Sequence, residues 1–207
     1  MKKILVINPG STSTKIAFYH DGEQVWKESI EHDAAEIKKY TVIYDQKEMR
    51  TALVLQALAD HGEKISELSG VVARGGLLPS YTDPESGAVT TVASGAYEVT
   101  PALIEALRDR PVNHHASNLG CAIAYEIAQQ AGVKAYIYDP VTVDELIDLV
   151  RITGLKDVRR VGQAHNLNMR AAAMKVCREK GIDYYGSNIV VAHLGGGITM
   201  SLHSNGC

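Results

Sequence analysis

The chain has 207 residues, 45% of them hydrophobic and 22% charged, with a formal net charge of −3. That is enough apolar material for one or two globular domains with a real core, and without a basic block or aromatic–basic interleaving it argues against nucleic-acid binding. The cysteines, Cys121, Cys177 and Cys207, are odd in number and far apart, so neither a disulfide framework nor zinc spacing is expected, as suits a reducing cytoplasm.

The four apolar residues after Met1-Lys2-Lys3 are too few for a secretory h-region, and no stretch is long enough for a membrane helix. They predict instead a buried strand, Lys3–Asn8, which breaks at Asn8-Pro9-Gly10. Four hydroxyl residues, Ser11, Thr12, Ser13 and Thr14, and then Lys15 follow. Such a turn gathers backbone N–H groups, hydroxyl donors and one positive charge, which suits a phosphoryl group; the same composition also describes an ordinary polar turn. A Walker A loop is excluded, because Thr14 rather than glycine precedes Lys15 and β-branched and aromatic residues follow. Lys15–His20 and Gln24–Ile30, joined by Asp21-Gly22, read as a hairpin.

Gln46–His61 predicts an amphipathic helix stopped by Gly62. Val71-Val72-Ala73 predicts a short strand that runs into Arg74-Gly75-Gly76, where an arginine beside paired glycines can approach an anion or simply face solvent at a turn. Residues 80–93 read as a loop with a short hairpin. Thr100–Arg110 predicts a helix with Pro101 in its first turn, and Ser117 is the expected cap of a helix Asn118–Ala131 ended by Gly132. His114 and His115 precede that helix, where an anion is favoured, although a loop histidine is often satisfied by backbone.

Ala135–Pro140 predicts a strand carrying Asp139 at its carboxyl end. Such a carboxylate faces the crevice of an open α/β sheet and suits Mg²⁺, directly or through water; the plainer reading is a turn residue. Thr142–Glu145 has the form of a capping box and predicts a helix Val143–Val150. His165 precedes a helix Leu167–Lys180, whose small residues suit close packing. A strand Asn188–His193 then meets Gly195, Gly196 and Gly197, and Met200–His203 and Asn205-Gly206 follow.

The last stretch repeats the first: strand, glycine-containing turn, strand, tight turn, with His193 opposite Asn8. The repeat predicts two related lobes that share a phosphate-binding cleft. The second Asn-Gly turn calls for a third strand, so the chain is expected to be the N-terminal part of a longer protein, inactive by itself, with an unpaired edge.

Four segments carry a resemblance that covers the whole chain: Ile7–Lys15, Ala73–Pro79, Asp139-Pro140-Val141 with Val143–Leu146, and Val191–Ile198. On these the chain resembles the acetokinase family, in its butyrate kinase branch, within the superfamily of acetate and sugar kinases, heat-shock chaperones and actin. Acetate kinases have alanine where Pro9 stands and asparagine where Gly196 stands. The resemblance implies an α/β fold: a ribonuclease H-like (actin-like ATPase) lobe with a mixed five-stranded sheet and flanking helices over residues 1–145, and the start of a second lobe over 146–207. It implies ATP-dependent phosphorylation of butyrate, with acetate, propionate or a branched acid as alternatives. ATP/ADP and Mg²⁺ are the implied cofactors, a short-chain carboxylate or acyl phosphate the partner, and a cytoplasmic homo-oligomer the full-length state. A non-catalytic nucleotide-binding module is the alternative of another class.

By the same resemblance Asn8, Arg74, His114, Asp139 and His165 are catalytic, with Asp139 tied to Mg²⁺. Ser11, Thr12, Ser13, Lys15, His193, Gly195, Gly196 and Gly197 hold phosphates. Acetate kinases carry an arginine at the position of Val71; here Arg74 is the candidate for its role.

Overall fold

The computed structural model describes residues 1–195 and 197–206. Three strands open the chain: β1 (Lys3–Pro9), β2 (Ser13–His20) and β3 (Glu23–Glu31). A short helix, α1 (Ala34–Ile37), leads to α2 (Lys47–Asp60), and β4 (Gly70–Arg74) follows. The hairpin β5 (Tyr81–Thr82) and β6 (Val89–Thr90) precedes β7 (Ala96–Glu98), α3 (Pro101–Asp109), α4 (Leu119–Ala131) and β8 (Ala135–Tyr138). Then come α5 (Asp148–Arg151), α6 (Asn166–Lys180), β9 (Asn188–Leu194) and β10 (Ile198–Ser204).

The main sheet has the order β3-β2-β1-β4-β8-β7. β1, β4 and β8 run parallel; β2, β3 and β7 are antiparallel to their neighbours. It is therefore six-stranded, not five-stranded. The added strand, Ala96–Glu98, is too short to show a period and forms because it pairs with Tyr136–Tyr138. Alternation sorts the faces of β1 and β2: Leu5, Ile7, Ile16 and Phe18 are buried in the core with Val54 and Leu58 of α2 and Ile123 and Ile127 of α4. Val6, Asn8 and Lys15 fall on the other face and line a cavity.

α4 lies unusually close to β4. A Cβ built on Gly120 would stand 2.7 Å from the carbonyl oxygen of Arg74, so only glycine permits the approach. The two C-terminal strands form a separate two-stranded sheet. Its inner face, Ile189 and Val191, packs on Ala173, Cys177 and Tyr184.

Two local expectations are corrected. The predicted helix Val143–Val150 does not form. Asp144 uses its carboxylate to accept from Nη1 and Nη2 of Arg151 at 2.7 and 2.8 Å and from the Leu146 N–H at 3.2 Å. Its own N–H is donated to Val92 O at 2.9 Å. The apparent capping box is thus a loop clamp, and only Asp148–Arg151 is helical. Nor does Ser117 cap the helix it precedes. The backbone N–H of Ser117 donates to Nδ1 of His115 at 3.1 Å, so His115 caps a 3-10 turn, Ala116–Asn118, that leads into α4.

Candidate active site

The carboxyl ends of β1, β4 and β8, the start of α6 and the end of β9 surround a cavity of about 850 Å³. Pairing places its residues side by side. Asn8 is opposite Lys15 across the first hairpin. Ala73 is level with Ile7 in the parallel neighbour, so Arg74 follows at the same end of the sheet. Tyr138 is level with Arg74, so Asp139 comes next. Asn8, Lys15, Arg74, Asp139, His165 and His193 all line the cavity.

The side-chain oxygen of Asn8, Oδ1, is buried and has no hydrogen-bond partner among the described residues. A buried acceptor left open costs stability unless a ligand supplies the donor. Around it stand Lys15 and Arg74, two cations. Gly10 N–H donates to Ser13 O at 2.7 Å, which closes the turn and leaves Ser11 and Thr12 exposed at its tip; Ser13 is buried.

His165 and His193 stack face to face, with centroids 3.8 Å apart and planes 8° from parallel. Each has a fixed partner: His165 Nδ1 lies 3.0 Å from Thr199 Oγ1, and Asn168 Nδ2 donates to His193 Nδ1 at 3.2 Å. Burial first, then His193 and then Arg74, hold the pKa of His165 below its ordinary value. Gly195 lies against His193: a Cβ there would meet Nε2 at 2.9 Å. Gly195 N–H reaches Gly197 O at 3.3 Å. Gly196, expected to bind phosphate, lies outside the described residues.

Asp139 is placed differently from the expectation. Its backbone takes φ +39°, which is rare for a non-glycine residue. Oδ1 accepts from Ser94 Oγ–H and Gly95 N–H, both at 2.8 Å, and Oδ2 accepts from Arg170 Nε–H at 3.0 Å. The Asp139 N–H in turn donates to Gly95 O at 3.0 Å. Its side chain is 0% exposed. Direct magnesium ligation does not fit a carboxylate enclosed by three donors, one of them an arginine. Among the described residues no group of three or more His, Cys, Asp or Glu could hold a metal ion.

His114 is exposed and not among the residues that line the cavity. Its neighbour His115 is half-buried, and burial, then the charge of Arg74, lower its pKa. Sequence reasoning missed Arg170, Ser94 and Gly95, which hold Asp139. An arginine at the start of a helix, 31 residues from its partner, gives no local signal.

These histidines carry a pH prediction. Burial first, in each case, also lowers the pKa of His32 and His203. A histidine whose folded pKa lies below its ordinary value near 6.5 binds its proton more readily in the unfolded chain. Stability is therefore full above about pH 6.5 and is lost as pH falls through the depressed folded values. Urea midpoints are expected to fall between pH 7 and pH 5. His203→Gln should flatten that slope, whereas pH-independent midpoints in this window would contradict the placement. Carboxylates such as Asp144, lowered first by its Arg151 hydrogen bonds, act only below the ordinary aspartate range, near pH 4.

No protein-family model matches the chain. Curated relatives do, two butyrate kinases among them. The probable butyrate kinase of Coprothermobacter proteolyticus is 42% identical over 205 residues, 99% of this chain and 54% of its own length. Butyrate kinase 1 of Clostridium acetobutylicum is 41% identical over 206 residues, 100% of this chain and 55% of its own length. Over almost its whole length the chain is thus similar to these two butyrate kinases. It spans about half the length of the curated relatives it matches.

Solved structures give the same fold. Porphyromonas gingivalis acetate kinase matches with TM-score 0.67 at 21% identity, over 100% of this chain and 56% of that one. A Francisella tularensis propionate kinase matches with TM-score 0.63 at 13% identity, over 100% and 56%. The chain thus has the α/β fold of these kinases. Among its described residues no helix is long and apolar enough to cross a membrane.

Proposed function

We propose that these residues form the phosphate- and carboxylate-binding half of an ATP-dependent carboxylate kinase, with butyrate as the acceptor. The observation that carries it is the convergence of Lys15, Arg74 and the stacked His165–His193 pair on one cavity, beside the open acceptor of Asn8. Cations and imidazoles that converge on one cavity suit a phosphoryl group and a carboxylate, whereas the open Asn8 Oδ1 is an acceptor and calls for a donor instead. The choice of butyrate rests on the names of the curated relatives.

In the reaction a carboxylate oxygen of the acid attacks the γ-phosphorus. The new O–P bond forms as the bond to the β,γ-bridging oxygen breaks, and ADP leaves; no net proton moves. The protein's contribution is position and charge. Lys15 and the Gly10–Ser13 turn hold phosphate oxygens. Arg74 offers a fixed fork to the carboxylate or the transferring group. His165, oriented by Thr199, and His193, oriented by Asn168, present ring nitrogens to the equatorial oxygens. The Asp139–Arg170 pair keeps α6, and so His165, fixed relative to the sheet. His114, exposed and not among the cavity-lining residues, is left out of this arrangement.

Two lobes are part of the proposal: residues 1–145 as the first, and 146–207 as the beginning of the second. The hairpin of β9 and β10 has its own small core and sets His193 opposite Thr199, as the first hairpin sets Asn8 opposite Lys15. The sister reading, an acetate or propionate kinase, differs only in the acid.

The test is a chimera. Joined to the remaining half of the Clostridium butyrate kinase, the chain should support ATP-dependent formation of acyl hydroxamate in the presence of hydroxylamine, with butyrate preferred to acetate. Activity with acetate above butyrate would select the sister reading. A folded chimera that binds ATP and forms no acyl phosphate with any short acid would leave only a nucleotide-binding module.

A further inference from the structure

Arg50, in the first turn of α2, is 0% exposed and is the largest fully buried side chain among the described residues. Its donors are well used: Nε and Nη2 reach Oε1 of Gln46 at 3.2 and 2.9 Å, and Nη1 reaches Thr14 Oγ1 at 2.9 Å and Ser13 O at 3.3 Å. Every one of these acceptors is neutral. Burial lowers its pKa, and no carboxylate offsets the effect. The titratable group beside it is His32, whose Nε2 lies 2.8 Å from the same Thr14 hydroxyl.

A buried cation without a counter-ion is expensive, and a leucine or methionine in its place is often as stable or more so. Its position suggests what the charge is for. Thr14 points to the core face of β2, while Lys15, the next residue, lines the cavity on the opposite face. The Ser13 carbonyl that accepts from Arg50 also accepts the Gly10 N–H that closes the turn. One oxygen thus ties the guanidinium to the geometry of the turn. The guanidinium's field reaches the turn through protein rather than water, where it is weakly screened.

We propose that Arg50 is a positioning residue for anion binding at the Gly10–Ser13 turn, a fixed positive charge behind the sheet whose counter-ion is the phosphate of the ligand. This deepens the kinase reading and rests on it. Arg50 touches no ligand itself. It acts through Ser13 and Thr14 and through its field.

The test is titration of the 207-residue chain with inorganic pyrophosphate, together with melting temperatures. Gln46→Glu is the decisive variant. It is isosteric, keeps an acceptor for Nε and Nη2, and supplies the missing counter-ion. It should melt at the same temperature as the parent or higher, yet bind pyrophosphate about tenfold more weakly, equivalent to about 1.4 kcal/mol. Arg50→Met should show a similar loss of affinity, and Arg50→Lys, which keeps the charge, should stay within about threefold of the parent. Lys15→Met checks the underlying reading and should also lose at least about tenfold. If Lys15→Met weakens binding while folded Gln46→Glu does not, Arg50 is merely structural and the inference fails alone. If the parent does not bind, or Lys15→Met is without effect, the phosphate reading of the turn fails and takes the inference with it. Should Arg50→Met not fold, Gln46→Glu decides.

Discussion

Arg170→Ala is expected to destabilise the chain by about 3–5 kcal/mol, because it strands a carboxylate that is wholly buried. Asp139 is 0% and Arg170 14% exposed at the side chain, so the pair is held largely away from water. The network is also shared. Arg170 Nη2 reaches Ser94 Oγ at 2.7 Å and Glu145 Oε2 at 3.3 Å, while the Ser94 hydroxyl donates to Asp139. Removing the arginine loosens the end of β8, the segment before β7 and the first turns of α6 together. Asp139→Ala should fall in the same range, and the double variant should lose much less than the sum of the two. Urea unfolding without any metal checks this. If Asp139→Ala were as stable as the parent in metal-free buffer, the carboxylate would not hold the fold, and a metal role would regain its place.

Gly120→Ala is expected to destabilise by about 1–3 kcal/mol, the reverse of what helix propensity alone predicts. In an exposed helix the exchange gains up to about 1 kcal/mol. Here the new Cβ would stand 2.7 Å from Arg74 O and 3.3 Å from Ala73 Cβ, and the first of these is backbone that has no rotamer to change. Either α4 or β4 must shift, and β4 carries Arg74 into the cavity. The variant should therefore lose thermal stability and pyrophosphate affinity together. Unchanged or raised stability would mean that the helix and the strand are farther apart than described.

What could be read from the chain, and what could not, follows from the range of each interaction. β1 and its hairpin were legible because an apolar run, a polar turn and an Asp-Gly pair are local signals. The repeat made His193 legible, since one hairpin served as a template for the other. Ala96–Glu98 was not legible, because three residues show no period and only the neighbouring β8 makes them a strand. Thr142–Glu145 misled because the pattern of a capping box does not say where Asp144 finds its donor; Arg151 supplied a better one. Asp139 stands at the end of β8, as its place after an apolar run suggests, but its carboxylate is enclosed by Ser94, Gly95 and Arg170, and the last of these lies far along the chain on α6. Arg50 sat in a helix pattern as one more charged residue, and only packing against Ser13 and Thr14 buried it. Of two adjacent histidines that the residue pattern treats alike, the family resemblance favoured His114, and the backbone turned His115 inward to cap the 3-10 turn before α4.

The central claim is that the first turn, Arg74 and the two stacked histidines form one anion site. Amide and imidazole chemical shifts of the isotope-labelled chain, followed during titration with pyrophosphate, test it most directly. The expected shifts are confined to residues 8–15, 73–76, 163–168 and 193–199 and saturate with a single dissociation constant. Shifts in only one of these segments, or centred on residues outside them, would contradict it.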